Sequence, residues 1–157
     1  MKMKFLAIFV VTLGISALGE SNYALAAKGD DLIDICDRGV IGEAIAKSVE
    51  AESCAAVSSK GMMQLHRLTL GYASILEIPK NAFAGLTALE VLDLNDSQIS
   101  KIPENAFAGL SALKWLYLGG NQISEIPENA FAGLPALELL TLNDNQINKI
   151  PKNAFAG

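Results

Sequence analysis

The strongest constraint on the fold of this 157-residue chain is a nine-residue phrase that recurs every 24 residues. The phrase, Ile-Pro-x-Asn-Ala-Phe-Ala-Gly-Leu, begins at Ile78, Ile102 and Ile126, and a truncated copy begins at Ile150. Between copies runs a second pattern, LxxLxL, at Leu89/Leu92/Leu94, Leu113/Leu116/Leu118 and Leu137/Leu140/Leu142, with a less regular forerunner at Leu65/Leu68/Leu70. A fixed period of this size is typical of a solenoid, in which each repeat packs against its neighbours.

Each LxxLxL pattern predicts a short strand, because leucines that alternate with other residues point to one face of an extended chain. The leucines would point inward, and the residues between them outward. We expect four strands that pair in parallel into one curved sheet, at about 67–71, 91–95, 115–119 and 139–143.

The third residue after the last leucine of each pattern is asparagine in the later repeats, at Asn121 and Asn145. A buried asparagine side chain can bond backbone groups of the neighbouring turn, since its amide has two donors and an acceptor. Ala73 and Ser97 stand at this position in the first two repeats, so we expect looser turns there.

The repeated phrase predicts the side of the solenoid opposite the sheet. Its prolines hold the backbone extended after each strand, and its alanine-rich segments suit a short helical turn. The phenylalanines recur at the same period and should stack along the solenoid, at Phe83, Phe107, Phe131 and Phe155.

The first 26 residues read as a secretory signal peptide. Lys2 and Lys4 precede the apolar run 5–18, and Ala24-Leu25-Ala26 offers small residues for cleavage. A membrane anchor is the alternative, but a bilayer-spanning helix needs about 20 apolar residues. We expect cleavage after Ala26, an exported protein and no membrane insertion afterwards.

Cleavage would leave 10 basic and 16 acidic residues, because Lys2, Lys4 and Glu20 are lost from totals of 12 and 17. An acidic chain without a basic cluster disfavours nucleic acid as a partner. Both cysteines, Cys36 and Cys54, follow the cut, and two nearby thiols in an exported chain usually form a disulfide.

Residues 27–64 are predicted to cap the open end of the first repeat. We expect a polar, flexible start over 27–35 and then a helix of about three turns, capped by Asp37, with apolar residues at helical spacing. Ser58 and Ser59 could cap a second, shorter turn.

The combined string LxxLxLxxNxIxxIPxxAFxGL resembles the 24-residue "typical" class of leucine-rich repeat proteins, and this similarity covers residues 62–157. The segment from Cys36 through Cys54 to Leu65 resembles the N-terminal caps of secreted bacterial members. The resemblance implies an α/β solenoid: a horseshoe with short parallel strands on the concave face, an N-terminal helical cap and protein recognition through that face. The chain then divides into a signal peptide (1–26), a cap (27–64) and repeats (65–157).

On that geometry Trp115 and Tyr117 lie on the concave face of one strand, and both are residue types that anchor interfaces. We predict a ligand-binding patch around these two, completed by Val91, Leu139, Asp93 and Arg67. The ligand would be a protein, or alternatively a glycan. The competing interpretation is repeat-to-repeat variation on an unused surface.

No ordered set of acid, base and nucleophile is present, so we do not expect an enzyme, and we expect neither a cofactor nor a metal site. The sequence ends at Gly157 without the leucine that follows earlier copies and without a C-terminal cap. This suggests a fragment, or an end covered by self-association or by another molecule. The alternative to a recognition module is a structural or envelope-associated spacer, or a fragment of a longer protein, that has no specific ligand. The near-identity of the repeats favours this alternative.

Overall fold

The structure of the protein, a computed structural model, describes residues 32–33 and 35–155. The predicted signal peptide lies outside these residues. Strand β1 (Leu32–Ile33) pairs antiparallel with β2 (Val57–Ser58). The expectation of a flexible segment over 27–35 is therefore wrong for residues 32–33, because the ladder with β2 holds them, and Ile35 is fully buried.

Helix α1 (Val40–Ser48) forms the body of the cap, and α2 (Ser59–Met63) leads into the repeats. Asp37 does not cap α1, because it lies in a separate 3-10 turn, Cys36–Arg38. Gly39, with φ of 56°, stands between the two and provides no side-chain cap. At α2 the prediction is confirmed, since the Ser58 hydroxyl accepts a bond from the Gly61 N–H at 3.0 Å.

The predicted disulfide between Cys36 and Cys54 is present, with the two Cα atoms 5.1 Å apart. It joins the 3-10 turn before α1 to a second 3-10 turn, Cys54–Ala56, that precedes β2. The bond therefore closes a loop that contains the whole of α1.

Replacing both cysteines by alanine is expected to lower the free energy of unfolding by about 3 kcal/mol, because the unfolded chain gains the freedom of that loop. Urea unfolding followed by circular dichroism measures the loss. Reductant should destabilise the parent similarly and leave the double variant unchanged. An unchanged unfolding midpoint in the variant would contradict the prediction.

Arg38 joins the cap to the first repeat. Its buried guanidinium donates from Nη1 to the carbonyl oxygens of Ala82 at 3.3 Å and Ala84 at 2.9 Å. Burial lowers the pKa of Arg38, partly opposed by the charge of Asp37. The carbonyl groups compensate the buried cation, so Arg38 fixes the cap against the back of the repeat.

The repeats form one four-stranded parallel sheet in the order β3 (Arg67–Thr69), β4 (Val91–Asp93), β5 (Trp115–Tyr117) and β6 (Leu139–Thr141). The strands are three residues long, shorter than the five expected. Backbone bonds between repeats continue beyond them, as from Leu70 N–H to Asp93 O at 2.7 Å. Positive φ then turns the chain away, at Tyr72, Asp96, Gly120 and Asp144.

Asn121 makes the inter-repeat bonds that the sequence predicts. Its buried Oδ1 accepts from the N–H groups of Ser97 at 3.1 Å and Ile99 at 2.9 Å. Its Nδ2 donates to Leu94 O in the preceding repeat at 2.9 Å, and to two carbonyls of its own turn. Each later turn is thus bonded to the one before.

Ser97 performs half of this function. Its hydroxyl donates to Leu70 O in the preceding repeat at 2.8 Å, as Asn121 donates to Leu94 O. A hydroxyl is too short to offer the matching acceptor as well. The Ala73 N–H instead bonds Leu70 O locally at 3.2 Å. Fewer side-chain hydrogen bonds therefore connect the first two repeats, although Ser97 is fully buried.

The aromatic stack is confirmed, with successive ring centroids from Phe83 to Phe155 separated by 5.9, 5.9 and 5.5 Å. The alanine-rich segments are successive hydrogen-bonded turns, such as Ala82 N–H to Pro79 O at 3.1 Å, in place of the expected helical turn. Positive φ at Asn81, Asn105 and Asn129 prevents a helix from continuing. Inward leucines and isoleucines fill the space between the stack and the sheet.

Candidate functional site

The concave patch, defined as Arg67, Val91, Asp93, Trp115, Tyr117 and Leu139, lies on the solvent side of the sheet. The side chains of β5 alternate between the two faces of the sheet, and this sets the centre of the patch. The middle residue, Leu116, is fully buried, while Trp115 and Tyr117 on either side are partly exposed. The parallel register places Val91, Trp115 and Leu139 side by side across three strands. Asp93, Tyr117 and Thr141 form the next row.

The structure therefore brings the predicted residues together on one face, although they differ in exposure. Arg67 is exposed, Asp93, Trp115 and Tyr117 are partly exposed, and Leu139 is 41% exposed. An aromatic pair beside an open leucine gives a contact area that is apolar at its centre. Asp93 and Arg67 place one charge of each sign at its edge.

Val91 is a correction to the predicted patch, since only 4% of its surface is exposed. Its in-register neighbours are Arg67 on one side and Trp115 on the other, and both side chains are larger than valine. Val91 therefore lies beside Trp115 on the sheet and offers little area to a ligand.

The polar edge of the patch is held in place by local bonds. Asp93 Oδ1 accepts from the Asn95 N–H at 3.0 Å, and Asn95 Oδ1 accepts from the Gly119 N–H at 2.8 Å. A Cβ atom at Gly119 would lie 2.8 Å from Asn143 Oδ1, so any side chain at this position would displace the Asn143 amide. Asp93 and Asn95 are thus fixed before any ligand arrives.

A charged row along the strand entrances was not predicted. Glu90 Oε2 lies 2.8 Å from Lys114 Nζ, and Glu90 Oε1 lies 3.5 Å from His66 Nδ1. The hydrogen bond from Lys114 lowers the pKa of Glu90, and the same bond raises the pKa of Lys114. The signal was present in the sequence, since these residues recur at the 24-residue period with alternating charge, as do Glu77, Lys101, Glu125 and Lys149.

Metal-ligating side chains are dispersed. Within residues 32–33 and 35–155, no group of three or more histidine, cysteine, aspartate or glutamate residues is placed to hold a metal ion. Nor does any helix in that part of the chain combine the length and apolar character required to cross a membrane.

Comparison with known proteins gives the family. The leucine-rich repeat family model matches residues 63–123 and 118–157, more than half of the chain. This chain belongs to the leucine-rich repeat family. Members of the family typically mediate protein binding, and they are generally not enzymes. No curated protein sequence matches significantly.

Solved structures of leucine-rich repeat proteins share the fold. The internalin inlF from Listeria monocytogenes is 27% identical, with a TM-score of 0.64 over 76% of this chain and 35% of its own. Internalin C2 from the same species is 20% identical, with a TM-score of 0.63 over 80% of this chain and 54% of its own. A chain of the LRIM1/APL1C complex is 27% identical, with a TM-score of 0.58 over 61% of this chain and 18% of its own. The leucine-rich repeat chain described here therefore spans about half or less of these proteins.

Proposed function

We propose that this leucine-rich repeat protein is an exported, non-enzymatic recognition module whose concave patch binds a protein ligand. The observation that carries the proposal is the pairing of Trp115 and Tyr117 on one strand, partly exposed and flanked by Leu139. Large aromatic side chains on a rigid sheet lose little conformational freedom on binding, and they are enriched at energetic centres of interfaces.

The neighbouring groups favour a protein over a glycan as the ligand. The patch combines aliphatic area at Leu139 with opposite charges at Arg67 and Asp93, which is the mixture that a protein surface complements. The aromatic pair could also stack on sugar rings, so a glycan is the second candidate. The Cys36–Cys54 disulfide supports export, since such bonds persist in oxidising compartments.

Self-association at the β6 end is a further part of the proposal. Ile150 and Phe155 are each 55% exposed there, whereas Ile126 and Phe131 in the preceding repeat are buried. Light scattering on purified residues 27–157 measures it. A folded monomer at all concentrations would contradict self-association and would leave the concave patch as the proposed binding surface.

The test of the patch is the double variant Trp115→Ala, Tyr117→Ala. Partners captured by the parent protein are identified, and the Kd of each is measured against parent and variant by biolayer interferometry. We expect a loss of about 100-fold or more, because two anchors at an interface centre contribute several kcal/mol.

The matched control is Tyr72→Ala, which removes an aromatic side chain that is 81% exposed and lies outside the sheet. Its Kd values should equal those of the parent. Circular dichroism must show that both variants fold. If every captured partner binds the double variant with parental affinity, the concave-patch proposal is wrong. If the parent protein captures no partner at all, a spacer without a specific ligand is favoured.

A further inference from the structure

A second surface lies where the cap meets the first repeat. A groove, here called the cap groove, runs between the start of α1 and the segment that follows β3. The cap contributes residues 38–41, and the repeat contributes residues 74–77 and Pro79. Two aliphatic side chains at the groove stay open to solvent, since Val40 is 52% exposed and Leu76 is 63% exposed.

Leu76 departs from the repeat pattern. The equivalent positions in the later repeats hold Ser100, Ser124 and Asn148, all of them polar. The repeat architecture therefore does not require an apolar side chain at this position. Among these four equivalent positions, leucine occurs only in the repeat that borders the cap groove.

Within residues 32–33 and 35–155, the Leu76 N–H has no hydrogen-bond acceptor. In later repeats the same segment bonds the one before it, as from Ser100 N–H to Leu76 O at 3.1 Å and from Asn148 N–H to Ser124 O at 3.3 Å. By this geometry the Leu76 N–H points towards the N-terminal side, into the cap groove. An extended edge with a free donor can take up another extended chain.

The charge beside this edge selects the chain that would fit. Glu77 is bridged in parallel register to Lys101, and Glu125 is bridged to Lys149 in the same way. Each glutamate of this row thus has a basic residue in register on its C-terminal side. Glu77 also lines the groove on its other side. Arg38 also lines the groove, but its Nη1 donates to the carbonyl oxygens of Ala82 and Ala84, and in the part of the chain that the structure describes it forms no ion pair with Glu77.

We propose that the cap groove binds an extended segment of a partner protein that carries an aliphatic side chain next to a lysine or arginine. The aliphatic side chain contacts Val40 and Leu76, a main-chain carbonyl of the partner accepts from the Leu76 N–H, and the basic side chain pairs with Glu77. The site is separate from the concave patch and does not depend on it.

The experiment selects binders from a phage library of short random peptides against the immobilised, disulfide-bonded protein. Kd values of the enriched peptides are then measured by fluorescence anisotropy. We expect peptides with an aliphatic residue next to a basic one, and Leu76→Ser should weaken them by about tenfold or more. Serine is the residue that the next two repeats carry here, at Ser100 and Ser124, so the variant should fold.

The matched control is Tyr72→Ala, which removes an exposed side chain that does not line the groove and leaves the charge unchanged. It should leave each Kd unchanged, as should Trp115→Ala. Glu77→Gln should remove the preference for a basic residue and reduce the salt dependence of binding. The proposal is overturned if Leu76→Ser changes the Kd of no enriched peptide. The same result is expected if the chain's own N-terminal residues occupy the groove, and it would overturn the proposal in that case too. Enrichment of acidic peptides would also overturn it.

Discussion

Replacing Asn121 by alanine is expected to lower the free energy of unfolding by about 3–5 kcal/mol, one of the two largest single-residue effects in the repeats. Alanine would leave the N–H groups of Ser97 and Ile99 without the acceptor that they share at 3.1 and 2.9 Å. Each buried unsatisfied donor costs about 1–3 kcal/mol. The carbonyl of Leu94 would also lose the Asn121 Nδ2 donor.

Two variants make the measurement specific. Asn145→Ala removes the same side chain one repeat later, where the asparagine is only partly buried and accepts from a single N–H, that of Ile123. This variant should lose about 1–2 kcal/mol of unfolding free energy. The loss for Asn121→Ser should lie between those for Asn145→Ala and Asn121→Ala, because Ser97 shows that a hydroxyl keeps only the donor bond. Urea unfolding reports all three, and equal losses for Asn121→Ala and Asn145→Ala would refute the ladder argument.

The repeat geometry follows from the sequence because one period determines it. The four parallel strands, the asparagine bonds and the stacked phenylalanines all lie at the predicted positions. Each depends on a residue pattern that recurs every 24 positions, so one copy predicts where the next one lies. The extent of the strands was wrong, because positive φ at residues such as Tyr72 and Asp96 cannot be read from the residue type.

The cap and the exposure of the patch were harder to predict, because they depend on contacts between distant residues. Asp37 has the right side chain for a helix cap, but the 3-10 turn places the start of α1 at Gly39. The burial of Val91 depends on the two neighbours that the sheet gives it. Arg38 reaches the turn at Ala82 and Ala84 across more than 40 residues of sequence, and no local pattern indicates that contact.

Phe107→Ala is expected to cost about 3–5 kcal/mol of unfolding free energy, since it opens a cavity in the middle of the aromatic stack. The Phe107 ring lies 5.9 Å from both Phe83 and Phe131 and is almost fully buried. Its removal therefore leaves an empty space between these two rings.

Phe155→Ala is the matched control for this variant, because it removes the same ring where it is 55% exposed and stacks on Phe131 alone. That loss should be about 1 kcal/mol, since much of the ring is already in water. Chemical unfolding of both variants against the parent gives the comparison. A Phe107→Ala loss no greater than that of Phe155→Ala would mean that stability resides in the leucines beneath the sheet. The stack would then fill space between the turns without holding one repeat to the next.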